Sequence, residues 1–167
     1  MLFRSVFMDL PAVWKLEGLE DNGLPIMWDE EYGARLGVMP RNGTDADVTW
    51  YEINPCYVFH PMNAYEQGNT IVMDVCRMDD VMKPGSESPP ILHRWVLDLE
   101  SGKVSETQLD DRVVDFVRVS DSVVGQPYQF GYGAVFQGLP VAEGFVKYEM
   151  HSGRSEEHTS ELQSQFR

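Results

Sequence analysis

Short apolar runs separated by turn-forming residues recur along most of the chain, and this pattern predicts β-strands. The runs are rich in β-branched and aromatic residues and are bounded by Gly, Pro, Asn or Asp, which is typical of strands in an all-β domain. A hairpin turn is predicted at residues 100–103, where Gly102 can adopt a positive φ. We predict strands at residues 48–53, 56–60, 70–77, 93–99, 104–109, 128–134 and 145–150.

Helix signals are weak by comparison. Residues 30–35 are compatible with a single helical turn, and residues 79–90 are predicted to form a surface loop because they contain Pro84, Pro89 and Pro90. No apolar run is long or pure enough to span a bilayer.

A faint internal repeat adds to the strand pattern. The segment WVLDLESG ends at Gly102 and VKYEMHSG ends at Gly153, a spacing of 153 − 102 = 51 residues. A period near 50 is typical of the blades of a β-propeller, each a four-stranded sheet packed on its neighbours. Two unrelated hairpins could produce the same pattern, and this alternative stays open.

Charge and cysteine content narrow the classes of function. The 167 residues have a net charge of −14, which argues against a nucleic-acid partner because phosphate contacts need clustered Lys and Arg. The charge is better explained by solubility. Cys56 and Cys76 both fall in predicted buried strands, and we expect inert reduced thiols rather than a disulfide framework.

One histidine is placed where a metal ligand could be. His60 ends the apolar run 56–60, and a loop-like segment, Pro61-Met62-Asn63-Ala64, follows at once. Neutral imidazole is the commonest protein metal ligand, and sites are often formed where a rigid scaffold meets a loop. A hydrogen-bonded structural histidine is the alternative.

Five segments, in order, resemble those of the carotenoid cleavage oxygenases. This family includes apocarotenoid oxygenases, lignostilbene dioxygenases, plant epoxycarotenoid dioxygenases and the retinoid isomerase of the eye, a retinal pigment epithelial membrane protein. The similarity extends from residue 6 to residue 153. It is carried by MDLPAVW (8–14), RLGVMPRNG (35–43), FHPMNAYE (59–66, with Asp74 in the strand that follows), LHRWVLDLESGKVSE (92–106) and DFVRVSDSVVGQPYQFGYGA (115–134).

The resemblance implies a seven-bladed β-propeller with iron on its axis, of which about three blades are expected here. It implies that ferrous iron, Fe(2+), is held by four neutral histidines, and His60 matches the third of these in family order. The other three are expected before Met1 and beyond Gly153. Asp115 occupies the place of the family's glutamate in EFPR, which reads DFVR here; this carboxylate is expected to accept a hydrogen bond from a ligand histidine. An exposed turn acid is the alternative for Asp115.

Other residues receive lesser roles. Asn63 and Glu66 match the family's NAYE and are expected to organise a turn through bonds from side chain to backbone. His93 and His151 are expected to be surface residues.

The implied activity is oxidative scission of one C=C bond in a carotenoid, apocarotenoid or stilbene by O₂, giving carbonyl products. Its partners would be a lipophilic polyene or stilbene and O₂. We expect a cytoplasmic location, with peripheral membrane contact left open. Two alternatives remain: a non-catalytic β-propeller interaction module, and a truncated chain that is inactive by itself.

The C-terminal segment differs from the rest. Residues 154–164 read RSEEHTSELQS, which resembles a sequencing adapter translated in frame. We therefore expect an incomplete oxygenase domain at residues 1–153 and a non-native tail at residues 154–167. A solvated acidic helix is the alternative for the tail.

Overall fold

The computed structural model describes residues 3–21, 23–83, 85–138 and 141–159, and these segments are nearly all β, as predicted. One short helix, α1 (Gly18–Asp21), and two 3₁₀ turns, Asp45–Asp47 and Asp121–Val123, complete the regular structure of the described residues. The strands are β1 (Arg4–Asp9), β2 (Ala12–Trp14), β3 (Ile26–Trp28), β4 (Ala34–Pro40), β5 (Thr49–Ile53), β6 (Tyr57–Gln67), β7 (Thr70–Met78), β8 (Ile91–Asp98), β9 (Val104–Arg118), β10 (Phe130–Gly138), β11 (Val141–Glu149) and β12 (Arg154–Thr159).

Seven of these strands form one antiparallel meander in the order β6 to β12. A three-stranded sheet, β1-β4-β5, and a small hairpin, β2-β3, account for the others. Strand β9 is shared between two sets of partners. Its residues from Val104 to Val113 pair with β8, whereas those from Val114 to Arg118 pair with β10.

The core has two parts, on opposite faces of β6, β7 and β8. Alternate side chains of β7 enter each part: Ile71, Met73 and Val75 pack with the three-stranded sheet, while Val72 and Cys76 face the part built with β9, β10 and β11. Because successive residues of a strand point to opposite faces, β7 is buried on both sides. This explains why its sequence is a continuous apolar run rather than an alternating one.

The predicted strands are all present, with shifted ends. The hairpin turn between β8 and β9 is confirmed, since Gly102 has a φ of 72°. The predicted helical turn at residues 30–35 is wrong, because Arg35 lies in β4 and pairs with β1 and β5. In the described part of the loop at residues 79–90 there is no helix or strand.

The tail segment begins with a strand. β12 pairs with β11 in antiparallel register, from Arg154 opposite Glu149 onward. Residues 160–167 lie outside the described residues. The non-native origin of residues 154–167 stays a prediction. Within the described segments, no helix has the length and apolar character needed to cross a membrane.

Candidate metal centre

His60 lies at a β-bulge in β6. Between the pairs Val58–Arg77 and Pro61–Val75, β6 has one residue more than β7. A bulge bends the strand and redirects a side chain, and it also accommodates Pro61, which has no N–H to give to the ladder. The imidazole is partly exposed, with 39% of the side-chain surface accessible.

Asp115 meets His60 across 55 residues of sequence. Its Oδ1 atom lies 3.0 Å from Nδ1 of the imidazole, and its side chain is only 9% exposed. The alternative of an exposed turn acid is wrong, because Asp115 lies within β9 and is buried. When the imidazole is neutral and the carboxylate ionised, Nδ1–H donates to Asp115 and Nε2 carries the lone pair. No described residue hydrogen-bonds to Nε2.

A second bulge lies beside Asp115. β9 has one residue more than β10 between the pairs Asp115–Ala134 and Arg118–Tyr132. Phe116 takes up the extra residue with a φ of 53°, a left-handed conformation that is strained for a bulky side chain. Two successive residues, Val114 and Asp115, are buried as a result, and Phe116 turns outward.

Aromatic side chains surround the imidazole. The ring of Phe116 lies 4.5 Å from that of His60, centroid to centroid, and the two planes are inclined by 37°. Phe136 lies 6.1 Å behind Phe116. On the other side, the ring of Phe59 is 6.4 Å from His60. Phe59 and Phe116 are both about half exposed, so an apolar surface borders the open nitrogen of His60.

A buried charged network lies in the core near the site. Asp74 is fully buried and accepts two hydrogen bonds from the guanidinium of Arg94, at 2.7 and 2.9 Å. The hydroxyl of Tyr128 also donates to Asp74. Burial and then the charge of Asp74 raise the pKa of Tyr128, and the hydrogen bond to Asp74 raises the pKa of Arg94. Asp74 thus has a structural role, since its side chain is taken up by Arg94 and Tyr128.

Asn63 and Glu66 bind backbone through their side chains, as expected, but on distant segments. Asn63 accepts from the N–H of Gly125 at 2.9 Å and donates to the carbonyl of Gln126 at 3.0 Å. Glu66 accepts from two backbone N–H groups of the N-terminal segment and pairs with Arg4. Both residues lie within β6, so the loop-like segment predicted at Pro61-Met62-Asn63-Ala64 is wrong, and these residues continue the strand.

His93 and His151 do not form a shared ligand site with His60. His93 is half-buried and its Nδ1 lies 3.0 Å from the carbonyl oxygen of Ile91, while His151 is exposed in a turn. Across the described ranges, no group of three or more His, Cys, Asp or Glu side chains could hold a metal ion. The chain therefore offers one imidazole nitrogen with an orienting carboxylate, which is a fitting part of a histidine-ligated site.

Comparisons with known proteins all point to the same family. The family model described as "Retinal pigment epithelial membrane protein" matches residues 5–165. A carotenoid cleavage oxygenase of Mycobacterium tuberculosis is 40% identical over 133 residues, covering 74% of this chain and 26% of the relative. A carotenoid 9,10(9',10')-cleavage dioxygenase of Crocus sativus is 28% identical over 159 residues, covering 89% of this chain and 29% of the relative.

Two further likenesses bear on chemistry and fold. An isoeugenol monooxygenase of Pseudomonas putida is 31% identical over 143 residues, covering 78% of this chain and 30% of the relative. Cobalt-substituted apocarotenoid oxygenase of Synechocystis has a TM-score of 0.80 at 19% identity, covering 95% of this chain and 36% of that one. The chain thus spans between a quarter and two fifths of the length of these proteins, and the structural likeness shows the fold.

Proposed function

Because the chain belongs to the family of the retinal pigment epithelial membrane protein and the carotenoid cleavage oxygenases, we propose that it is part of a longer Fe(II)-dependent dioxygenase. The proposed reaction is the cleavage of one C=C bond of a carotenoid, apocarotenoid or stilbene to give carbonyl products. The observation that carries this proposal is the pair formed by His60 and Asp115 at 3.0 Å.

In this proposal His60 binds the metal through Nε2, and the remaining histidine ligands come from outside the chain. Bound iron would supply the reaction with O₂, which the protein's own side chains cannot perform. A structure with the same fold is described as cobalt-substituted, which supports a divalent metal in the longer protein.

The chain's own residues position the ligand and shape its surroundings. Asp115 keeps the proton of the imidazole on Nδ1 and fixes the ring orientation, so that Nε2 would be free to hold the metal. The exposed rings of Phe59 and Phe116 offer an apolar contact for a conjugated substrate beside His60. In this proposal neither phenylalanine ring takes part in the cleavage reaction itself.

The strand pairing supports a propeller arrangement. β6, β7, β8 and the first part of β9 form one four-stranded unit, and the last part of β9 with β10, β11 and β12 forms a second. The three-stranded sheet, β1-β4-β5, packs on the first unit through a shared core. We interpret these as about three blades, in which His60 and Asp115 lie on the first strands of consecutive blades.

We further propose a cytoplasmic location. Cys56 and Cys76 are buried and unpaired, which suits a reducing compartment. If the protein makes peripheral membrane contact, we expect it at the exposed side chains of Trp14, Leu16 and Leu19, around the β2-β3 hairpin.

The deciding experiment replaces histidines one at a time in the longer protein that contains this chain. His60→Ala should abolish both iron content, measured by metal analysis, and cleavage of an apocarotenal, measured by loss of polyene absorbance. His93→Ala is the matched control and should retain both. A non-catalytic propeller module would retain its binding function in His60→Ala and contain no stoichiometric iron in the unaltered protein, which would refute the oxygenase proposal.

A further inference from the structure

A cleft of about 330 Å³ lies between the N-terminal sheet, the middle of β6 and the loop that contains Val124 and Gly125. Its walls are mostly apolar, with side chains from Val6, Met62, Met73 and Val124. A volume just above 300 Å³ with apolar walls and a few polar groups is typical of sites for small organic ligands.

The polar group of the cleft is the guanidinium of Arg41. Among the described residues, no side chain forms a hydrogen bond or ion pair with this guanidinium. The lack of a partner is unusual here, because the chain has 27 acidic and only 13 basic side chains. Six other arginines do have carboxylate partners, namely Arg4, Arg35, Arg77, Arg94, Arg112 and Arg118.

One wall of the cleft is held in place before any ligand arrives. Val124 and Gly125 belong to a loop that is fixed by the buried amide of Asn63, through bonds to Gly125 and Gln126. Because this loop is already ordered, ligand binding does not carry the entropic cost of ordering it. Met62 and Met73 also line the cleft, and each is less than a tenth exposed; methionine side chains adapt readily to ligands of different shape.

We propose that this cleft binds a small apolar carboxylic acid, with its carboxylate on Arg41 and its hydrocarbon part against the methionines. A guanidinium matches a carboxylate in charge and in two-pronged geometry. A phosphate monoester fits less well, because its second negative charge would be uncompensated in a chain of net charge −14. This site does not depend on the proposed oxygenase function, since it needs neither iron nor His60.

The test is calorimetric titration of the longer protein that contains this chain with octanoate, and with octylamine as the apolar cation. We expect octanoate to bind and octylamine not to bind. Arg41→Gln should weaken octanoate binding at least about tenfold, the loss expected for one charge-assisted contact near the surface. Lys103→Gln is the matched control, because Lys103 is exposed in the turn between β8 and β9 and does not line the cleft, and this variant should bind octanoate as the unaltered chain does.

A second variant tests the apolar part of the cleft. Val124 is 62% exposed, so Val124→Asp should fold normally and weaken octanoate binding by placing a like charge beside the ligand. The proposal is overturned if the unaltered chain does not bind octanoate at millimolar concentration. It is also overturned if Arg41→Gln and the unaltered chain bind octanoate equally, or if octylamine binds as well as octanoate does.

Discussion

The imidazole of His60 and the carboxylate of Asp115 are 3.0 Å apart, and each lies at or beside a bulge in its own strand. A regular ladder would place side chains at fixed intervals on flat faces. The extra residue of β6 between Val58 and Pro61, and that of β9 between Asp115 and Arg118, break that regularity and turn the two side chains toward one another. The pair is therefore a product of backbone irregularity as much as of side-chain choice.

The strained conformation of Phe116 predicts an inverted order of stability for two substitutions. Phe116→Gly should be more stable than Phe116→Ala by about 1 kcal/mol in urea unfolding, because only glycine adopts a φ of 53° without cost. At Phe59, which does not have a positive φ, the order should be the usual one, with alanine more stable than glycine. The same order at both sites would show that Phe116 is not strained.

The buried network predicts a large effect for one arginine. Arg94→Met should lower the free energy of unfolding by about 3 kcal/mol or more, because it leaves the carboxylate of Asp74 buried without its cation. Arg118→Met removes an exposed pair with Asp121 and should change the same quantity by less than about 0.5 kcal/mol. Similar losses in the two variants, measured by urea denaturation, would contradict this account of Asp74.

Asn63 should control the order of the loop that follows the turn Asp121–Val123. In Asn63→Ala the amide of Gly125 loses its acceptor, and its hydrogen exchange should become at least about tenfold faster. Asn69→Ala removes only an exposed contact to Glu100 and should leave the exchange of Gly125 unchanged. Unaltered protection of Gly125 in Asn63→Ala would mean that packing alone orders the loop.

The two thiols predict a loss of stability at alkaline pH. Burial raises the pKa of Cys56 from 9.0 to about 12, and burial also raises the pKa of Cys76. Between pH 9 and 12 the unfolded chain therefore loses thiol protons that the folded chain keeps, so the free energy of unfolding falls as pH rises. Each thiol contributes a slope of up to about 1.4 kcal/mol per pH unit.

Replacing both cysteines with alanine isolates this contribution. The double variant should be less stable at pH 7 because of the cavities it leaves, but its stability should decline less steeply from pH 9 to pH 10. Equal slopes for the variant and the unaltered chain, measured by urea unfolding at a series of pH values, would show that the thiols are not protected by the fold.

The sequence predicted the strands well where apolar runs were continuous, and it placed their ends less well where polar residues intervened. Strand β9 continues past Leu109 because the carboxylate of Asp110 accepts hydrogen bonds from Tyr148 and Arg112, at 2.5 and 2.8 Å. Burial opposes the charged form, yet these bonds lower the pKa of Asp110. Hydrogen-bond partners that are distant in sequence cannot be predicted from a local pattern of apolar and polar residues.

For the site, the resemblance identified His60 and Asp115 as a pair, but local chemistry left both with two interpretations. No sequence pattern indicated the left-handed φ of Phe116, since phenylalanine is rarely found in that conformation. The partners of Asp74, at positions 94 and 128, could not be deduced either. They are brought to Asp74 only by the folding of segments that are distant in sequence.

The division of β9 between two sets of partners has a consequence for changes in chain length. Side chains alternate sides along a strand, so inserting one amino acid between Val113, which pairs with β8, and Asp115, which pairs with β10, would send the carboxylate to the opposite side and leave His60 without it. Inserting two would restore it. The spacing from Val113 to Asp115 is thus constrained by parity, and odd-numbered insertions there should be tolerated only when a further bulge absorbs them.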